Sequence, residues 1–193
     1  IQPVCADYTT AFDLPAPPRP ARRTVGYYPG STIGNFRRED ARAFLAQIAD
    51  TVGSDGGLLI GVDLKKDVEV LKAAYDDAEG VTAAFNKNLL RRMNRELDAT
   101  FDLATFEHQV LWNEARGCIE SHLHSTTAQS VSVAGESFAF EKGETIHTED
   151  SHKYTLDEFS SLAARAGFDV ESVWTDEQSY FSVQHCTVGN QTR

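Results

Sequence analysis

The sequence predicts an α/β fold carrying an inserted α+β subdomain, and three observations support that assignment. First, residues 24–28 form a short apolar run that breaks off at Pro29-Gly30. A glycine-containing turn follows, and then a helical pattern over 39–50 with Phe44, Leu45 and Ile48 on one face. Second, Leu58-Leu59-Ile60-Gly61-Val62 is continuously apolar and ends at Asp63, as a central strand buried on both faces would be. Two such strands joined by one helix make a right-handed crossover unit. Third, the alternation then stops, because residues 110–149 read as short strands. Residues 65–154 are therefore expected to be an insertion, with 1–64 and 155–193 forming the α/β domain.

Taken in order, residues 1–8 read as the end of a strand followed by Asp7-Tyr8. Ile1 is not a start methionine, so a fragment of a longer chain is expected. The loop D-L-P-A-P-P-R-P-A-R-R (13–23) is kept out of regular structure by its prolines. Next comes V-G-Y-Y-P-G-S-T-I-G-N-F (25–36), at the carboxyl end of a strand, where open α/β sheets bind ligands. Gly30 lets the main chain approach a ligand, Gly34 allows a tight bend, and Asn35 offers a donor and an acceptor at the lip of the cleft. Asn35 can equally be read as the cap of the following helix.

Helices are expected over 68–75 and 81–97, the second with Phe85, Leu89, Leu90 and Met93 on one side, and Asp102 caps a short helix over 103–106. Strands are expected at 118–123, 129–133, 137–140 and 145–148, with turns at Ala134-Gly135 and Lys142-Gly143. Thr155 and Glu158 form a capping box for a helix over 155–166 that Gly167 ends. Residues 169–175 and 181–188 close the sheet as an antiparallel pair.

Charge and composition narrow the function. Lys and Arg number 18 against 29 Asp and Glu, a formal net charge of −11, which argues against nucleic acid or an anionic membrane as partner. With 41% hydrophobic residues the chain is not a disordered one. Cys5, Cys118 and Cys186 have no zinc-type spacing and imply no disulfide framework, so a reducing cytoplasm is the expected home. No membrane-spanning run or signal peptide is visible. His108, His122, His124, His147 and His152 match no familiar metal motif and read as structural or surface residues, so no metal is expected.

Glu149 and Ser151 sit two apart at a strand end, so both side chains point to one face. Taken alone, T-E-D-S reads as an exposed acidic strand end, of the kind a negatively charged surface often supplies.

Several segments together resemble one family, the histidine-specific Nα-methyltransferases of ergothioneine biosynthesis. They are P-G-S-T-I-G-N (29–35), G-V-D-L-K-K-D (61–67), A-Y-D-D-A-E-G-V-T-A-A-F-N-K-N-L-L (74–90), N-R-E-L (94–97), I-E-S-H-L (119–123) and G-E-T-I-H-T-E-D-S-H-K-Y (143–154). The closing helix, A-G-F, strand, turn, strand is also how class I S-adenosylmethionine-dependent methyltransferases end. The resemblance implies the carboxyl-terminal part of a Rossmann-like methyltransferase sheet holding S-adenosylmethionine, with the inserted subdomain closing over an amino acid. It implies that Asn35 and Tyr75 hold the substrate's α-carboxylate and that Glu149 and Ser151 hold the imidazole. Ser121 stands where the family commonly has a methionine against the substrate, which enlarges the pocket. Asp7 and Tyr8 would meet the adenine of the cofactor, and Gly30 and Thr32 would line the groove beside its methionine part. No residue is assigned as a catalytic base.

No G-x-G motif occurs in these residues, so the resemblance predicts that the chain alone lacks the glycine-rich cofactor loop and is inactive by itself. Self-association or a preceding segment would then complete the site. The rival functions are a methyltransferase of the same build for another amino acid or amine, and a non-catalytic chain that acts as a binding partner.

Overall fold

The computed structural model describes residues 1–10, 12–17 and 19–189, so Pro18 of the proline-rich loop and residues 190–193 of the expected return domain lie outside the described residues. In chain order the elements are β1 (Val25–Tyr28), a 3-10 turn (Thr32–Asn35), α1 (Arg38–Val52), β2 (Gly57–Asp63), α2 (Val68–Tyr75), α3 (Val81–Glu96) and a second 3-10 turn (Leu103–Thr105). There follow β3 (Phe106–Asn113), β4 (Cys118–Ser125), β5 (Gln129–Val133), β6 (Glu136–Phe140), β7 (Thr145–His152), α4 (Leu156–Arg165), β8 (Phe168–Thr175) and β9 (Phe181–Val188). The contacts divide the chain into two compact units, Ile1–Lys65 with Lys153–Arg193, and Lys66–His152. Among the described residues no helix is long and apolar enough to cross a membrane.

The first unit holds a mixed sheet in the order β1-β2-β9-β8. β1 runs parallel to β2, as the crossover through α1 requires, and Tyr28 stands opposite Ile60. β9 is antiparallel to both β2 and β8, so the last two strands do form the expected antiparallel pair. The apolar run in β2 is buried as its sequence predicts, with Leu58, Ile60 and Val62 packed in one cluster with Ile33, Phe44, Leu45, Phe159 and Phe168. The capping box of α4 is complete: the Thr155 hydroxyl accepts from the Glu158 amide at 3.1 Å, and Glu158 Oε2 accepts from the Thr155 amide at 2.8 Å.

Residues 1–8 correct the reading. They are exposed and form no strand. A strand needs a neighbour for its backbone groups, and none of the described residues pairs with this segment.

The second unit combines a three-stranded antiparallel sheet, β3-β4-β7, with the β5-β6 hairpin. The hairpin turns on Ala134 and Gly135, at φ 51° and 86°, the pair of left-handed residues that a two-residue loop demands. Its core is Leu90, Phe101, Phe106, Leu123 and Val131. Here α3 is rotated from the expected stripe. Asn86 and Leu90 face inward, whereas Phe85 is 73% exposed. β3 begins well ahead of the first strand expected, because His108 and Gln109 dilute its alternation, and β7 runs four residues beyond Thr148.

Candidate functional site

In the first unit the carboxyl end of β1 leads into the turn that the sequence singles out. Gly30 has φ 73°, and Ser31 follows at φ 56° and ψ 24°. A serine held left-handed costs roughly 1–2 kcal/mol, so something must hold it there. The Asp63 amide donates to Ser31 Oγ at 2.8 Å and ties the turn to the end of β2. A Cβ on Gly30 would meet nothing within 4 Å, so open space lies above its main chain. The close approach is at Gly61, where a Cβ would stand 2.8 Å from Phe181 Cζ and 3.0 Å from the Gly30 amide nitrogen. Thr32 Oγ1 donates to the Pro29 carbonyl at 3.3 Å, and Asn35 ends the turn with its side chain exposed. Asn35 is not the helix cap: α1 is preceded by Arg37, which makes no side-chain cap bond.

Asp63 carries a second, unanticipated feature. Its Oδ2 lies 2.6 Å from Nζ of Lys153, a lysine only 1% exposed. Breaking a buried ion pair by removing one partner typically costs about 3–5 kcal/mol, so this one pins the end of β2 firmly. Arg38 adds to it by donating to the Lys153 carbonyl at 3.2 Å and lying 4.0 Å over the Tyr154 ring. Both Asp63 and Lys153 stand in the segments that carry the family resemblance, but neither is in a pattern that says "buried pair".

Asp7 and Tyr8 reach the same end of β1. Tyr8 packs edge-on against Tyr28 and Phe44, with centroids at 6.1 and 5.8 Å, and remains 47% exposed. Gln47 Nε2 donates to the carbonyls of Tyr8 and Thr10 and straps the segment to α1. Asp7 Oδ1 accepts from the side chain and the amide of Thr9, which holds its carboxyl below the usual value and keeps it an acceptor.

In the second unit the other four residues come together. Tyr75 ends α2, and its hydroxyl lies 2.7 Å from Ser151 Oγ. Along the β4–β7 ladder Ser121 stands opposite Glu149 and Ile119 opposite Ser151, so Ser121, Glu149 and Ser151 share one face. Ser121 is only 3% exposed. Tyr75 and Ser151, assigned to opposite ends of a substrate, are thus bonded to each other.

Two residues fix Tyr75: Asn86, which the sequence does not single out, and His108, which it reads as structural or surface. His108 Nδ1 lies 2.9 Å from Asn86 Nδ2, and His108 Nε2 lies 2.8 Å from the Tyr75 carbonyl. An amide nitrogen donates and a carbonyl accepts, so in this arrangement Nδ1 accepts from Asn86 and Nε2 donates to the Tyr75 carbonyl. Asn86, 7% exposed, also donates to the His122 carbonyl at 3.2 Å.

Residues 1–188 match the family model described as histidine-specific methyltransferase, S-adenosylmethionine-dependent. The chain belongs to this methyltransferase family. It is 42% identical to the histidine N-alpha-methyltransferase of Mycolicibacterium smegmatis and 38% identical to that of Mycobacterium tuberculosis, over 95% of its own residues in each case. The chain spans 57% of the length of each of these relatives. A solved S-adenosylmethionine-dependent methyltransferase from Clostridium acetobutylicum aligns over 97% of this chain and 64% of that one, at 7% identity and a TM-score of 0.49. The residues present suit the cofactor of a histidine-specific methyltransferase: the partly exposed Tyr8 ring and the Asp7 acceptor can meet an adenine, and the space over Gly30 admits a ligand against the main chain.

Proposed function

We propose that this chain is part of an enzyme that methylates the α-amino group of L-histidine, giving the trimethylated betaine hercynine used in ergothioneine biosynthesis. The reading rests on one observation above the rest, the convergence of Tyr75, Ser121, Glu149 and Ser151 on one ladder face. A carboxylate and a hydroxyl there can bond both nitrogens of an imidazole, and a site built to hydrogen-bond a group rejects analogues that lack it far better than an apolar pocket can. Ser121 leaves more room beside that ring than a methionine would.

S-adenosylmethionine supplies the electrophilic methyl group when bound. Asp7 and Tyr8 hold its adenine, and the main chain at Gly30 and Thr32 lines its groove. Asn35 and Tyr75 are uncharged groups, each able to hold a carboxylate without bringing a charge that competes with the amine. The amine must arrive unprotonated; among the described residues none is assigned as a dedicated base, and its proton leaves through water or through contacts beside Asn35. The thiols of Cys5, Cys118 and Cys186 form no disulfide among the described residues, which suits a reducing cytoplasm.

The test is a steady-state comparison of the full-length protein with its Glu149→Ala variant, using histidine and S-adenosylmethionine. The imidazole contact exists in ground and transition states alike, so its loss appears in KM and not in kcat. A lost hydrogen bond to a charged group, about 1.5–3 kcal/mol, corresponds to a rise of roughly 10- to 150-fold. A large fall in kcat with KM unchanged, or a higher kcat/KM for another amino acid than for histidine, would overturn the reading.

A further inference from the structure

The β4–β7 ladder has a second face, and it is not made like the first. Opposite the face of Ser121 and Glu149, the register brings together three cross-strand pairs: Cys118 with His152, Glu120 with Asp150, and His122 with His147. The last pair depends on a bulge. Ser121 faces Glu149 but His122 faces His147, so Thr148 is the extra residue, held by its hydroxyl donating to the Ser121 carbonyl at 2.9 Å. A bulge re-aims the side chains beyond it. Here it puts His147 on the same face as Asp150, three residues away, where regular alternation would have set them apart.

The result is a cluster of ligand atoms. One atom each from Glu120, His122 and His147 lies within 4.8 Å of the others. The two imidazole rings stack at 4.8 Å with 18° between their planes. His122 Nε2 lies 3.4 Å from Glu120 Oε2, and His147 Nε2 lies 2.9 Å from Asp150 Oδ1. His122 Nδ1 is buried and has no hydrogen-bond partner among the described residues. The Glu120 carboxylate is held in place by Asn113 Nδ2 and Arg116 Nη1, each donating to its Oε1 at 2.8 Å, which leaves Oε2 turned toward His122. Arg116 pairs with both Glu120 and Asp150. Two carboxylates against one guanidinium leave one negative charge while the imidazoles are neutral, and a cation is what that balance favours.

We propose that Glu120, His122 and His147 bind a divalent transition-metal ion of the zinc class, on the face of the ladder that faces away from Ser121 and Glu149. Two imidazoles and one carboxylate, with a fourth position left to water, are a donor set that zinc accepts. Asp150 serves from outside, orienting His147 as carboxylates orient ligating imidazoles. His147 has 41% of its side chain exposed, which leaves it free to turn toward the ion and leaves the fourth position open to solvent. The rival occupant is a proton shared between the imidazoles and the carboxylates. The proposal is independent of the substrate reading.

The test is calorimetry of zinc chloride, near neutral pH and in a non-chelating buffer, into the untagged chain. The proteins compared are the parent, His147→Gln, His122→Gln and Cys5→Ser, the last because Cys5 is an exposed thiol that is not a member of the cluster. The expected result is one ion per chain, binding weakened at least about 10- to 100-fold in His147→Gln, and no change in Cys5→Ser. His147 is exposed, so its variant folds even if His122→Gln does not. Zinc binding that is absent, or that His147→Gln leaves unchanged, gives the cluster to the shared proton and overturns the proposal.

Discussion

Tyr75 and Ser151 are the pair whose separation tests the substrate site most directly. Their oxygens lie 2.7 Å apart in a partly buried position, at the preferred length for a hydroxyl pair. A neutral bond of that kind contributes a net ~1 kcal/mol, about fivefold in an equilibrium constant. Tyr75→Phe removes one oxygen and keeps the ring, and Ser151→Ala removes the other. If Tyr75 also holds the substrate's carboxylate, its variant loses a bond to a charged group and KM for histidine rises roughly 10-fold or more. The Ser151 variant loses a neutral bond to the imidazole and rises less, by a factor of about 2–13. Because both variants break the same Tyr75–Ser151 bond, the double variant should differ from the sum of the two by ~1 kcal/mol. The assay is histidine KM and kcat, with calorimetric histidine affinity, on the four full-length proteins. Effects that add within about 0.3–0.5 kcal/mol would show that the two hydroxyls do not act as a unit. A fall in kcat with KM unchanged in either single variant would refute the ground-state contact itself.

Two further outcomes are expected. Asn35→Asp should bind histidine worse than Asn35→Ala, because it sets a carboxylate against the substrate's own, and neither change should lower the melting temperature, since Arg37 and not Asn35 precedes α1; an aspartate variant that binds as well as the parent would remove Asn35 from the site. Asp77 accepts from the amides of Val81 and Thr82 at 2.9 and 2.8 Å, and the Thr82 bonds foremost pull its carboxyl down to about 2. Its contribution is complete above the unfolded value of about 3.9 and is lost as pH falls through about 2, so urea stability of Asp77→Asn should fall less steeply than the parent's between about pH 4 and 2; equal slopes would contradict the linkage.

Much of the first unit was legible in the sequence because its signals are local. β2 reads as a central strand from five consecutive apolar residues, and α4 announces itself through Thr155 and Glu158, three positions apart as a capping box requires. The Asp63–Lys153 pair was not legible. Its members are 90 residues apart, and a lysine in a polar stretch gives no sign that the fold will bury it. The joint role of Asn86 and His108 was hidden for the same reason. Each is an unremarkable polar residue on its own, and only the packing of α3 against β3 turns them into the support of Tyr75.

The β4–β7 ladder shows where periodicity itself misleads. The alternation of E-D-S across 149–151 correctly puts Glu149 and Ser151 on one face, and strict alternation would add His147 to it as a third member. The bulge at Thr148 takes His147 away to the opposite face, where it meets His122 and Asp150. One inserted residue therefore separates two side-chain sets along a single strand: Glu149 and Ser151 beside Ser121 on one face, and His147 and Asp150 beside Glu120 and His122 on the other. A bulge leaves no mark that composition or spacing could reveal, because it is a property of the pairing between β4 and β7 and not of either strand alone. That is why the histidines looked scattered in the sequence and why the cluster they form had to be read from the register.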